Sequence, residues 1–172
     1  MRTRITAAAL SALLVLALAG CTTPEPPEPT PTPAFSSEEE AFAAAEATYR
    51  AYVDALNQWH ADPMADPVPT DFLVGSALDS ELETQRLLEE QNRAIVGTAT
   101  VSRFVGKETS ADFGDVTAMV CLDVGASRVV DDEGTDVTPS DRPSLLGLSV
   151  EFVDVEGGLA ISSSAVADDQ TC

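Results

Sequence analysis

The chain of 172 residues carries 29 acidic residues against nine lysines and arginines, a formal charge of −20. A surface of that sign repels a phosphate backbone, so nucleic-acid binding is excluded as a main function, and so is a polybasic grip on anionic lipid. Three cysteines and a single histidine leave few soft metal ligands.

The chain opens with Arg2 and Arg4, runs apolar from about Ile5 to Ala19, and then reads Leu18-Ala19-Gly20-Cys21. Roughly 15 apolar residues fall short of the ~20 that a spanning helix needs, so this is a secretion signal and not a membrane span. The four-residue ending resembles the lipobox of bacterial lipoproteins. That resemblance implies cleavage after residue 20, a diacylglyceryl group on the Cys21 sulfur, and a protein held by lipid on the extracytoplasmic face of the cell membrane. Without residues 1–20 the chain keeps seven basic and all 29 acidic residues, a formal charge of −22.

Residues 22–34 read TTPEPPEPTPTPA and hold six of the eleven prolines. Nothing here can be buried; proline fixes φ and favours polyproline II, so residues 21–35 form the lipidated cysteine and a semi-rigid stalk of roughly 40 Å. Residues 36–172 have the length of one domain, with no repeat period.

Ser37-x-x-Glu40 reads as a capping box, with Glu38, Glu39 and Glu40 at the positive end of a helix dipole. Behind it Phe42, Ala45, Tyr49, Tyr52, Val53, Leu56 and Trp59 recur at the spacing of one buried helical face, and Asp62-Pro63 ends the run. Thr70 or Asp71 caps a short second helix bearing Phe72, Leu73 and Leu78. Ser80-x-x-Glu83 opens a third, which closes before Gly97.

After Gly97 the chain becomes rich in Val, Thr, Phe and Ile, broken by turn signals, and predicts five antiparallel strands: 98–108, 113–124, 127–138, 145–155 and 159–166. In the second, Val116, Ala118, Val120 and Leu122 oppose Thr117, Met119, Cys121 and Asp123; either face can be the buried one. Helices followed by an antiparallel sheet describe an α+β domain with three helices on a curved sheet of about five strands.

The long capped helix, the two shorter ones, Gly97 before the first strand, and Val120-Cys121-Leu122-Asp123 followed by an Asp-Glu-Gly turn together resemble the cone-shaped SnoaL-like (nuclear-transport-factor-2-like) domains of small lipoproteins from high-GC Gram-positive bacteria. The resemblance spans residues 36–172, and it implies a fold that also hosts isomerases, dehydratases and cyclases working through a carboxylate or histidine base and tyrosine partners inside the cone. A last strand reading GLAISSSAV lacks the tryptophan such domains often carry.

In those roles the chain offers Tyr49, Tyr52 and Asp123 as a candidate pocket. His60, beside the helix end, reads as a surface or capping residue. Asp131-Asp132-Glu133-Gly134-Thr135-Asp136 lacks the ligand spacing of a calcium loop and fits a hairpin turn with Gly134 at positive φ. Cys121, Cys172 and His60 make a poor zinc set. Neither a metal nor a cofactor is expected, and no nucleophile stands with a base. With Cys21 assigned to lipid, the even remainder of Cys121 and Cys172 fits one disulfide in an exported compartment, tying down a polar tail.

The expected role is a lipid-anchored domain, monomeric or homodimeric, that presents or binds a protein, a cell-wall component or a small apolar ligand. The alternative is a ligand pocket or an isomerase or hydro-lyase on the same fold. The lipid assignment is checked by metabolic labelling with a palmitate analogue: the wild-type protein labels and fractionates with membranes, and Cys21→Ala does neither. Labelling of the alanine variant would remove the anchor from Cys21.

Overall fold

The computed structural model describes residues 33–156, 158–167 and 172, so the expected signal, Cys21 and most of the expected stalk lie outside the described residues. Helix α1 spans Glu38–Ala61 and begins as its cap predicts: the Ser37 hydroxyl accepts from the Glu40 N–H at 3.2 Å. The return half of the box goes one residue further back, where the Glu40 carboxylate accepts from the Ser36 N–H at 2.9 Å and from the Ser36 hydroxyl. These bonds hold the exposed Glu40 carboxyl below its ordinary value. At the far end the Asp62 N–H donates to the Gln58 carbonyl at 2.8 Å, and the Asp62 carboxylate turns to accept from Met64.

The helix buries Ala41, Ala45, Tyr49 and Val53, a row at strict four-residue spacing. Phe42, Tyr52, Leu56 and Trp59, expected on the same face, flank that row half-buried. Small residues in the row and Gly106 beneath it let the helix approach the sheet closely. A Cβ at Gly106 would fall inside the Phe42 ring.

Two helices, not three, are present among the described residues. A single 3-10 turn, Pro69–Phe72, replaces the expected second helix, and α2 runs unbroken from Gly75 to Glu90. The supposed capping box at Ser80 therefore lies within α2, where the Ser80 carbonyl accepts from the Thr84 hydroxyl at 2.8 Å. Tertiary contact sets the true start. Leu73 bridges Ile161 on the last strand and the Val74 N–H donates to the Ile161 carbonyl at 2.9 Å, so the chain must turn sharply before helix can begin. Gly75 makes that turn at φ +54°, a conformation costly for other residues.

Six strands follow among the described residues, one more than expected: β1 Ala94–Val96, β2 Thr100–Thr109, β3 Val116–Asp123, β4 Arg128–Val130, β5 Leu145–Val155 and β6 Gly158–Val166. Four form an antiparallel sheet in the order β2-β3-β5-β6, and β1 pairs with β4 in a separate two-stranded ribbon. The strand expected over 127–138 is thus mostly loop. Arg142 organises it, its guanidinium donating to the carbonyls of Val124 at 3.1 Å and Ser127 at 2.6 Å.

The face of β3 that meets the helices is that of Val116, Ala118 and Val120, each at most 2 % exposed. They join Tyr49, Val150, Phe152 and Ile161 in one core. Cys121, on the opposite face, sits at disulfide distance from Cys172, with Cα atoms 5.7 Å apart. Among the described residues no helix is long and apolar enough to cross a membrane.

Two stability experiments follow from this packing. Gly106→Ala costs about 1–3 kcal/mol by overpacking, read from urea unfolding, and Phe42→Ala in the same chain removes most of that extra cost. Replacing Cys121 and Cys172 by serine reopens a 51-residue separation and costs up to about 4 kcal/mol in the chain-entropy treatment. An unchanged unfolding midpoint on reduction would dissociate the tail from domain stability.

Candidate functional site

Tyr49 and Tyr52 project from α1 toward β6 and α2, their rings edge to face at a centroid separation of 5.8 Å. Tyr49 is the deeper of the two. Its ring packs edge-on against Phe152 at 6.4 Å. Burial pushes the Tyr49 phenol up to about 12, with the Ser164 side chain opposing the rise. Tyr52 is pushed up further, by burial first and then by the negative charge of Glu81. Both phenols are neutral hydrogen-bonding groups at neutral pH.

Asp123 does not join them. It shares the Cys121 face of β3, away from the helices, and its carboxylate accepts from the Gly125 N–H at 2.8 Å in an exposed turn. Tyr49 packs on Phe152, which pairs with Val116 at the opposite end of β3. Seven residues at about 3.3 Å each put Asp123 roughly 23 Å along the strand from that point.

The carboxylate that meets the tyrosines is Glu81 on α2. Its Oε2 accepts from the Tyr52 hydroxyl at 3.4 Å and its Oε1 from the Gln85 side chain at 2.9 Å. Tyr52 and Glu81 line a cleft of about 160 Å³ floored by Leu73, Ala77 and Ile161 and rimmed by hydroxyl-bearing side chains. A Glu81/Gln85 pair at i, i+4 spacing was visible in the sequence, but a helix begun at Ser80 would have spent Glu81 on its first turn. Ser164 had no signal at all. A bulge between Glu151 and Phe152 on one side and Ile161 and Ser163 on the other shifts register, so that Ser164, three residues on, shares the inner face with Ile161.

Two of the other hollows, both beside α1, are accounted for by packing. The larger, about 320 Å³, lies beside Arg50 and Asn57. Asn57 clamps Ala99, donating to its carbonyl and accepting from its N–H, both at 2.8 Å. Arg50 donates to the Val101 carbonyl at 2.9 Å while paired to Glu46 at 2.7 Å, so its charge and its donors hold helix to strand. The smaller, about 140 Å³, is lined by Trp59, His60, Leu88 and Ile95, and burial there keeps the His60 imidazole below its ordinary value. His60 leans on Trp59 at 5.8 Å and is a partly covered residue rather than an open surface one.

The acidic hexad folds as the hairpin turn expected of it. Gly134 takes φ +79°, and the Asp131 carboxylate accepts from the N–H groups of Glu133 at 3.1 Å and Thr135 at 2.8 Å.

No protein-family model and no curated protein matches the chain. Among solved structures, the intermembrane space region of chloroplast protein ARC6 is similar at TM-score 0.46 and 13 % identity, over 70 % of this chain and 94 % of that one. A provisionally assigned polyketide cyclase from Xanthomonas campestris pv. campestris is similar at TM-score 0.36 and 15 % identity, over 73 % and 90 % respectively. At these scores neither likeness bears on family or activity.

Proposed function

We propose that this chain is a lipid-anchored extracytoplasmic domain, built as a SnoaL-like cone, that binds or presents at the cell surface without turnover. Cys21 is its anchor and residues 22–34 its spacer. The observation that carries the non-catalytic part is the filled interior: Tyr49, Val116, Val120, Val150, Phe152 and Ile161 occupy the space between helices and sheet, each at most 2 % exposed. A proton-transfer enzyme on a cone needs a chamber there, and small-molecule sites run roughly 300–1,000 Å³. The cleft left beside Glu81, about 160 Å³, is half the lower bound. Asp123, offered as a base for an isomerase reading, accepts the Gly125 N–H in an exposed turn.

Polycyclic apolar ligands, steroid-like or polyketide-like, are expected to leave the melting temperature unchanged. A saturable rise that Tyr49→Phe abolishes would replace the filled core with a ligand chamber. The filled core also has an alkaline signature. Burial raises the folded Tyr49 above the unfolded ~10, so the neutral phenol contributes stability that is full below pH ~10 and is lost as pH rises through about 12. Urea midpoints of the wild type therefore fall across that window, and Tyr49→Phe flattens part of the fall.

A further inference from the structure

The cleft beside Tyr52 holds a carboxylate that is fixed in place yet lacks a cation. Ion pairs among the described residues join Arg50 to Glu46 and Arg86 to Glu83 and Glu90; none reaches Glu81. Gln85 holds Oε1 at 2.9 Å, while the Tyr52 hydroxyl stands 3.4 Å from Oε2, well beyond the ~2.5–2.7 Å of a charge-assisted O–H···O⁻ bond. A carboxylate has about four lone-pair sites, so Oε2 retains capacity for a stronger donor, and the phenol oxygen beside it can accept as well. Beneath these two atoms the floor is apolar: Leu73, Ala77 and Ile161, each at most 8 % exposed.

A single carboxylate is too few for calcium, which takes six to eight oxygens, and the acidic chain repels anions. A neutral ligand would leave the carboxylate unmatched. One charged donor group on a short hydrocarbon stem matches both the carboxylate and the apolar floor. We propose that this cleft binds a primary alkylammonium group, the ammonium donating to Glu81 Oε2 and to the Tyr52 oxygen while its methylenes cover Leu73 and Ile161. The same head group occurs on free amines and on lysine side chains. The inference deepens the binding part of the reading above, and its failure would leave lipid labelling, the filled core and its alkaline signature untouched.

The test is a ¹H–¹⁵N NMR titration of the full chain in detergent micelles at constant ionic strength. Butylammonium probes the free amine, Nα-acetyl-lysine methylamide the lysine side chain, and butan-1-ol and butyrate are neutral and anionic controls of similar length. The expected result is saturable shifts at Tyr52, Glu81 and Ser164 with one or both ammonium probes and none with the controls. A response to butylammonium alone assigns the cleft to free amines, and a response to both extends it to lysine side chains. Glu81→Gln weakens binding about tenfold, the scale of one charged hydrogen bond. Thr84→Lys on the exposed rim supplies a competing ammonium and abolishes the response even if Glu81→Gln should perturb folding. Absence of saturable shifts, an equal response to butan-1-ol, or undiminished binding in folded Glu81→Gln would overturn the proposal.

Discussion

Tyr49 is the pivot of this domain. It is 2 % exposed and fills the gap between α1 and the sheet, and its contacts with Phe152 and Tyr52 tie a buried helical position both to β5 and to the α2 side. An aromatic ring at that place brings a large buried area to the middle of the core. Placing Tyr49 inward sets the rotation of α1, and the rotation of α1 leaves Tyr52 at the cleft. The same rotation lays Phe42 over Gly106, where the missing Cβ makes room.

Around that centre, polar side chains fasten backbone more than they meet one another. Asn57 matches both hydrogen-bonding groups of Ala99, and Arg142 gathers the carbonyls of Val124 and Ser127. Asp123, Asp131 and Asp136 each accept backbone N–H groups in turns. Several of the aspartates in the densest acidic region are thus turn residues, for which a short carboxylate is suited by reach and geometry. The acidity of this region has a structural use at those positions, and it needs no ligand to explain it. Glu81 differs because its partners are side chains and it lines a cleft.

Secondary structure followed local signals wherever the local signal was the strongest influence. The Ser37 cap, the Asp62-Pro63 stop and the Gly134 turn all act within a few residues, and each is found where the residues indicate. The errors arose where a distant strand outbid a local preference. Ser80-x-x-Glu83 has the pattern of a cap, yet Leu73 and Val74 are held by Ile161, nearly ninety positions away in the chain, and α2 had to start at Gly75. Val129 and Val130 look like the start of a long strand, but β1 offers only three partners before the chain turns.

The sequence by itself determined the Leu-Ala-Gly-Cys tetrapeptide behind an apolar run, the proline-rich segment, the α+β order of elements, and, by parity once Cys21 is set aside, the pairing of Cys121 with Cys172. These are properties of composition, spacing and count, and they need no knowledge of which residues meet. Only the tertiary structure decided that Val116, Ala118 and Val120 form the inner face of β3, because two alternating faces of similar polarity carry no label until helices cover one. That choice sent Asp123 outward. It also took a register shift in β6 to bring Ser164 inward and an unbroken α2 to set Glu81 against Tyr52, since a site assembled from three elements depends on how they pack and leaves no trace at the spacing of any one of them.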